Sequence, residues 1–330
     1  MPYRTLNLVL VTALALLLSG PGLAADPERL IRKANRYLAP LPAAMPGAEN
    51  DTPERIALGE KLYHDTRLSI NNAQSCASCH PVRDGRAGVD NLPTSPGAEG
   101  QLGDRNSPTV LNAGWQSSQF WDGRAKDLAD QAGQPILNPV EMAMPNEQAV
   151  VDKLRQTPDY PAEFAQAFPD AAEPISYANL SEALAAFERT LRSESRFDDY
   201  LKGDTSALSE QEQRGLDAFM SHNCIRCHDG PLLGGGLYER LGGAGHGDFP
   251  STDPGRFAVT GKEEDRQVFK VPQLRNIALT GPWFHNGSIN TLEEAIRLMA
   301  QLQLGTELKP EEIADISAFL RSLNGKGLAE

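Results

Sequence analysis

The sequence predicts a mainly α-helical protein of two domains. Apolar residues recur at helical spacing between recognisable caps, while strand signals are poor. The pentapeptide Cys-x-x-Cys-His occurs twice, at 76–80 and 224–228, and the two copies begin 148 positions apart. The chain of 330 residues is also longer than one ordinary domain.

The elements follow in order. Arg4, an apolar run over 6–18 and the small residues up to Ala24 form the pattern of a secretory signal peptide over 1–24. The run is short for a membrane span, so no stable membrane insertion is expected. Thr52, Pro53 and Glu54 open a helix, with Thr as cap and Pro in the first turn. Leu180, Leu184, Phe187 and Leu191 repeat at helical spacing and predict one helix over 180–202. Lys202-Gly203-Asp204 ends it, so a boundary falls at 203–208. This gives a first domain over 25–205 and a second over 206–330. Ser209 with Glu212, and Thr291 with Glu294, form capping boxes, the second opening a helix over 292–304. Pro310 starts a last helix, free to pack on the first domain. Between the helices lie long stretches rich in Gly, Pro and Asn, at 81–118, 231–265 and 272–290. Loops of that length are usually functional or wrapped on a ligand. No short-period repeat is visible beyond the two pentapeptides.

The pentapeptides use every cysteine of the chain: Cys76, Cys79, Cys224 and Cys227. Each offers two thiols for haem vinyl groups and one imidazole, His80 or His228, for the iron. A structural zinc site would leave both histidines redundant, and a redox dithiol needs no His after the second Cys. Two covalent c-type haems, one in each of two cytochrome c-like domains, are therefore expected. Haem attachment outside the cytoplasm agrees with the export signal and points to the periplasm. The formal charge of −13 argues against nucleic acid and anionic lipid as partners and allows a donor protein with a positive face.

An electron carrier fills both axial positions of its haem, whereas an enzyme keeps one open. The strings that surround the motifs bear on this choice. They are LYHDTRLS at 62–69, RNSPTVLN at 105–112, QFWDGRA at 119–125, PVEM at 139–142, GRFAVT at 255–260, VPQLRN at 271–276 and FHNG at 284–287. In order and spacing the chain resembles the bacterial di-haem cytochrome c peroxidases and their relative MauG. The resemblance implies Met299 as the second ligand of the C-terminal haem, where MauG-like enzymes carry Tyr. It implies Glu141 as the acid–base catalyst at the N-terminal haem, Gln131 and Pro135 in the same pocket with Phe120 near them, and Trp121 between the haems. It further implies calcium held by Asn106, Thr280 and Pro282, and haem carboxylates near His285, Arg275 and Asn276. Many members cap the N-terminal iron with a loop His until the other haem is reduced. Here Ala98 aligns with that His, and no His lies between His80 and His222. A vacant iron in the oxidised state is therefore expected, unless Glu99 or Met142 substitutes. The implied activity is reduction of hydrogen peroxide with electrons from a small cytochrome c or cupredoxin, in a possible homodimer. MauG-like oxidation of a protein, or plain di-haem electron transfer, are the alternatives. His64, His222 and His246 carry no expected role.

Overall fold

The computed structural model describes residues 26–242 and 246–329. The expected signal peptide lies outside them. Twelve α-helices are described: α1 Pro27–Ala34, α2 Pro53–Tyr63, α3 Cys76–Cys79, α4 Leu128–Leu137, α5 Glu147–Arg155, α6 Tyr160–Ala167, α7 Tyr177–Glu188, α8 Arg196–Leu201, α9 Glu210–Ser221, α10 Phe257–Thr260, α11 Leu292–Leu304 and α12 Pro310–Arg321. One short antiparallel ribbon pairs β1, Tyr238–Arg240, with β2, Val268–Lys270. The fold is thus mainly helical, as the periodicity predicts.

The caps act where the sequence places them. Thr52 accepts from the Arg55 N–H, Ser209 from Glu212, and Thr291 from Glu294. The stretch 180–202, expected as one helix, is two. After α7 the backbone bonds sideways: Asn112 donates its N–H to the Leu191 carbonyl (2.9 Å), and its side-chain oxygen accepts from Ser193 N–H (2.8 Å). Ser195 and Asp198 then restart the helix as a reciprocal cap, with Ser195 N–H donating to the carboxylate at 2.8 Å.

Two large apolar cores result among the described residues, beside two small clusters. α2, α4, α5, α6 and α7 close the first, with Leu62, Phe164, Leu180 and Leu184 fully buried. α1, α8, α9, α11 and α12 close the second, with Phe197, Leu216 and Phe319 at its centre. In each, the helix that leads into a Cys-x-x-Cys-His unit crosses a later helix at a glycine. A Cβ on Gly59 would lie 1.9 Å from the Ala183 carbonyl of α7, and one on Gly215 would lie 1.9 Å from the Asp315 carbonyl of α12. Any other residue would force these helices apart. The last helix therefore packs in the second core, on α9 and α11. Arg275 is held by Asp198 at 2.6 and 2.9 Å, both side chains wholly buried. Asn276 accepts from Gly325 N–H.

Candidate active site and its partner cavity

Each pentapeptide lines its own cavity. Ser75 caps the single turn of α3, which presents Cys76 and Cys79, and His80 follows at its end. The His80 Nδ1 faces the Gly88 carbonyl at 3.2 Å. In the second unit Asn223 takes a left-handed conformation, so that α9 turns sharply into Cys224–Arg226, and His228 Nδ1 faces the Leu233 carbonyl at 3.0 Å. A carbonyl only accepts, so both Nδ1 atoms carry the proton. Burial also pushes both imidazoles below their usual range, toward the neutral form. Two thiols and a pre-oriented neutral imidazole at the wall of each cavity fit a c-type haem.

The N-terminal cavity, about 1070 Å³, gathers Cys76, Cys79, His80, Gln131, Pro135 and Glu141. Gln131 and Pro135 lie one turn apart on α4 and face it together. Glu141 follows that helix, and its carboxylate accepts from Asn138 Nδ2 at 2.7 Å. Burial raises its pKa, against the Asn138 hydrogen bond and the charge of Arg124, which lower it. Ala98 packs behind Glu141, its N–H donating to the Glu141 carbonyl at 2.6 Å and its carbonyl accepting from Asn71. The segment fits because residue 97 is glycine: a Cβ there would meet the Val140 carbonyl at 2.2 Å. Glu99 is exposed and off the cavity, whereas Met142 lines it from the first core.

The C-terminal cavity collects Cys224, Cys227, His228 and Met299, which projects from α11. Trp121, Phe120 and His285 line both cavities. The Trp121 indole donates to the Asn106 carbonyl at 2.9 Å and meets the His285 ring edge-on. The three residues expected to hold calcium all line the C-terminal cavity. The Asn106 amide donates its nitrogen to Leu92 and Pro93, which leaves its oxygen available. Among the described residues no hydrogen bond reaches the Thr280 or Pro282 carbonyl. These are oxygen ligands of the kind calcium takes.

Two charged residues escaped the sequence reading. Glu188 lies in the wall of the N-terminal cavity, its carboxyl pushed up to about 8 by burial. The signal was a charge four residues after Leu184, on an apolar stripe. Lys270 is buried in the C-terminal cavity with its ammonium pushed down to about 8, and among the described residues its side-chain partner is the neutral Gln116. It too interrupts an apolar run, Val268-Phe269-Lys270-Val271. A buried ammonium without an acid calls for an anion. The unpartnered buried atoms Gln273 Oε1 and His285 Nδ1 belong to residues of the same wall. A macrocycle bearing carboxylates fits Lys270 and the His285 Nδ1 as donors, whereas Gln273 Oε1, an acceptor, is not explained by it. Arg275, by contrast, is already neutralised by Asp198. His222 is taken up by Glu312 at 3.1 Å.

The arrangement is that of a two-centre redox enzyme, and comparison with known proteins agrees. Residues 53–206 match the family model for di-haem cytochrome c peroxidase. Cytochrome c551 peroxidase of Pseudomonas aeruginosa is 44% identical over 94% of this chain and 91% of its own. Methylamine utilization protein MauG of Paracoccus denitrificans is 36% identical over 78% of this chain and 79% of its own. A solved structure of a MauG-like protein associated with microbial copper homeostasis superposes with a TM-score of 0.76 at 31% identity, covering 88% of this chain and 95% of that one. The chain belongs to the di-haem cytochrome c peroxidase family and is an oxidoreductase of the peroxidase class.

Proposed function

We propose that the protein reduces hydrogen peroxide to water at the N-terminal cavity, with electrons delivered through the C-terminal one. Two haem units are the basis, one founded on 25–205 and one on 206–330, with α1 and α8 packed into the second core. Cys76 and Cys79 hold one haem with His80 on its iron. Cys224 and Cys227 would hold the other, with His228 and Met299 as the residues that bind its iron. Lys270 and Gln116 meet a haem carboxylate. When bound, the haems supply the one-electron chemistry that the side chains lack.

The observation that carries the reading is Glu141, held by Asn138 with its carboxyl at the cavity of the first pentapeptide. Peroxide reduction takes two electrons and two protons to two waters. Glu141 accepts the proton of the inner oxygen and returns it to the outer one. Its raised pKa favours taking up the proton of the inner oxygen. Gln131 orients the peroxide, and Pro135 keeps the wall beside it apolar. Trp121, shared by both cavities, carries electrons between them. Met299, where MauG-like enzymes have Tyr, raises the potential of the second centre and favours peroxide over a protein substrate. Asn106, Thr280 and Pro282 hold calcium between the units. The donor is a small cytochrome c or cupredoxin. The site of action is the periplasm, and among the described residues no helix is long and apolar enough to cross a membrane.

With Ala98 behind Glu141 in place of a capping His, the oxidised enzyme needs no prior reduction. Fully oxidised protein mixed with peroxide and reduced cytochrome c should turn over at once. A lag abolished by pre-reduction would refute this.

A further inference from the structure

The strap that carries Thr280 and Pro282 is held from the other half of the chain. Asn91, 188 positions before Leu279, reaches across to it. Its side-chain nitrogen donates to the Leu279 carbonyl and to the Gly281 carbonyl, each at 2.8 Å. These bonds use both hydrogens of the amide. The carbonyls that Asn91 takes alternate along the strap with those of Thr280 and Pro282. Among the described residues no hydrogen bond reaches either of the latter.

The neighbours of Asn91 act on Asn106. Leu92 and Pro93 accept from the Asn106 side-chain nitrogen at 3.0 and 3.3 Å, so its oxygen is the atom left free. The Asn106 backbone N–H donates to the His285 carbonyl at 2.8 Å. Gly287 lets the segment close against the strap, since a Cβ there would lie 2.4 Å from the Pro93 carbonyl. Behind the segment, the Asp90 carboxylate accepts from Leu92 N–H at 3.0 Å and from the Ser95 hydroxyl at 2.6 Å. Asn91 itself is left-handed at φ 61°, a conformation that asparagine tolerates better than most residues. Three consecutive residues thus orient oxygen donors from both halves of the chain.

We infer that Asn91 is a positioning residue for calcium: by holding the carbonyls of Leu279 and Gly281, it leaves those of Thr280 and Pro282 to meet the cation together with the Asn106 oxygen. This deepens the reading that those three residues hold calcium, and rests on it. Partners that orient metal ligands typically contribute about 10–100-fold to affinity.

Substitution N91G tests it. Glycine lacks the amide and suits a left-handed backbone, so the variant should fold. Holoprotein stripped with a chelator is titrated with calcium by calorimetry and melted with and without the ion. N91G should bind calcium about 10–100-fold more weakly than wild type. Its melting temperature in chelator should stay near the wild-type value, while the rise on adding calcium shrinks. N91A also lacks the amide, should weaken calcium by the same order, and decides the matter should N91G fail to load two haems. Wild-type affinity in a loaded variant would overturn the inference and leave Asn91 a tie between loops. A wild-type protein that takes up no calcium would instead overturn the underlying reading, before any substitution is made.

Discussion

Replacing Glu141 by glutamine should stop turnover and leave the fold intact. The side chain keeps its shape, and a glutamine oxygen can still accept the bond that Asn138 donates at 2.7 Å. What is lost is the proton shuttle. Positioned acid–base groups contribute roughly 10²–10⁴-fold to rate. At about 1.4 kcal/mol per factor of ten, this is about 3–5 kcal/mol of transition-state stabilisation. Of the other carboxyls in the cavity wall, Asp122 and Asp253 are held by Arg105. Glu188 shares the cavity, but its charge acts on Cys76 and Tyr63, at the attachment edge, and it is buried on α7. The assay is steady-state peroxide consumption with reduced cytochrome c, beside an optical spectrum of the oxidised protein to show unchanged haems. E141Q turning over near the wild-type rate would refute the assignment, and E188Q falling as far as E141Q would move the shuttle to the wrong carboxyl.

Removing Asn138 by N138A deletes a hydrogen bond that favours the charged carboxylate, so the pKa of Glu141 rises further. The base form is needed, so the acid limb of kcat/KM against pH should move to higher pH, and a limb that stays or moves down would contradict this. W121F should retain both haems yet slow electron transfer between them, measured by stopped-flow reduction of one centre from the other; an unchanged rate would leave Trp121 a packing residue. R275M strands the buried Asp198 carboxylate, and loss of a buried partner typically costs about 3–5 kcal/mol, read by urea unfolding of the holoprotein.

Local chemistry made part of this legible from the sequence. The pentapeptides, the Ser209 and Thr291 boxes and the Pro310 start each depend on residues within a turn of one another. The break between α7 and α8 was not legible in the same way. Leu191 continues the apolar repeat, and what stops the helix is Asn112, some eighty positions away. The cap that restarts it, Ser195 with Asp198, was in plain view but lay within an apparently continuous period. The same distance problem hid the partners of Arg275. An internal repeat was hidden differently: Pro108, Asn112, Phe120, Gly123 and Leu128 recur at a constant offset as Pro272, Asn276, Phe284, Gly287 and Leu292, but the residues between them differ, and it is the recurring left-handed torsions, 3-10 turns and bridges that tie them together. Lys270 could have been found, since it breaks an apolar pattern without an adjacent opposite charge; Glu188 breaks one too, but Arg189 beside it reads as its partner.

The most direct test of the whole reading is the electron paramagnetic resonance spectrum of the wild-type protein with both irons ferric. A high-spin signal from the N-terminal haem beside a low-spin His–Met signal from the C-terminal one is the expected result. Two low-spin centres, each saturated by side chains, would contradict it.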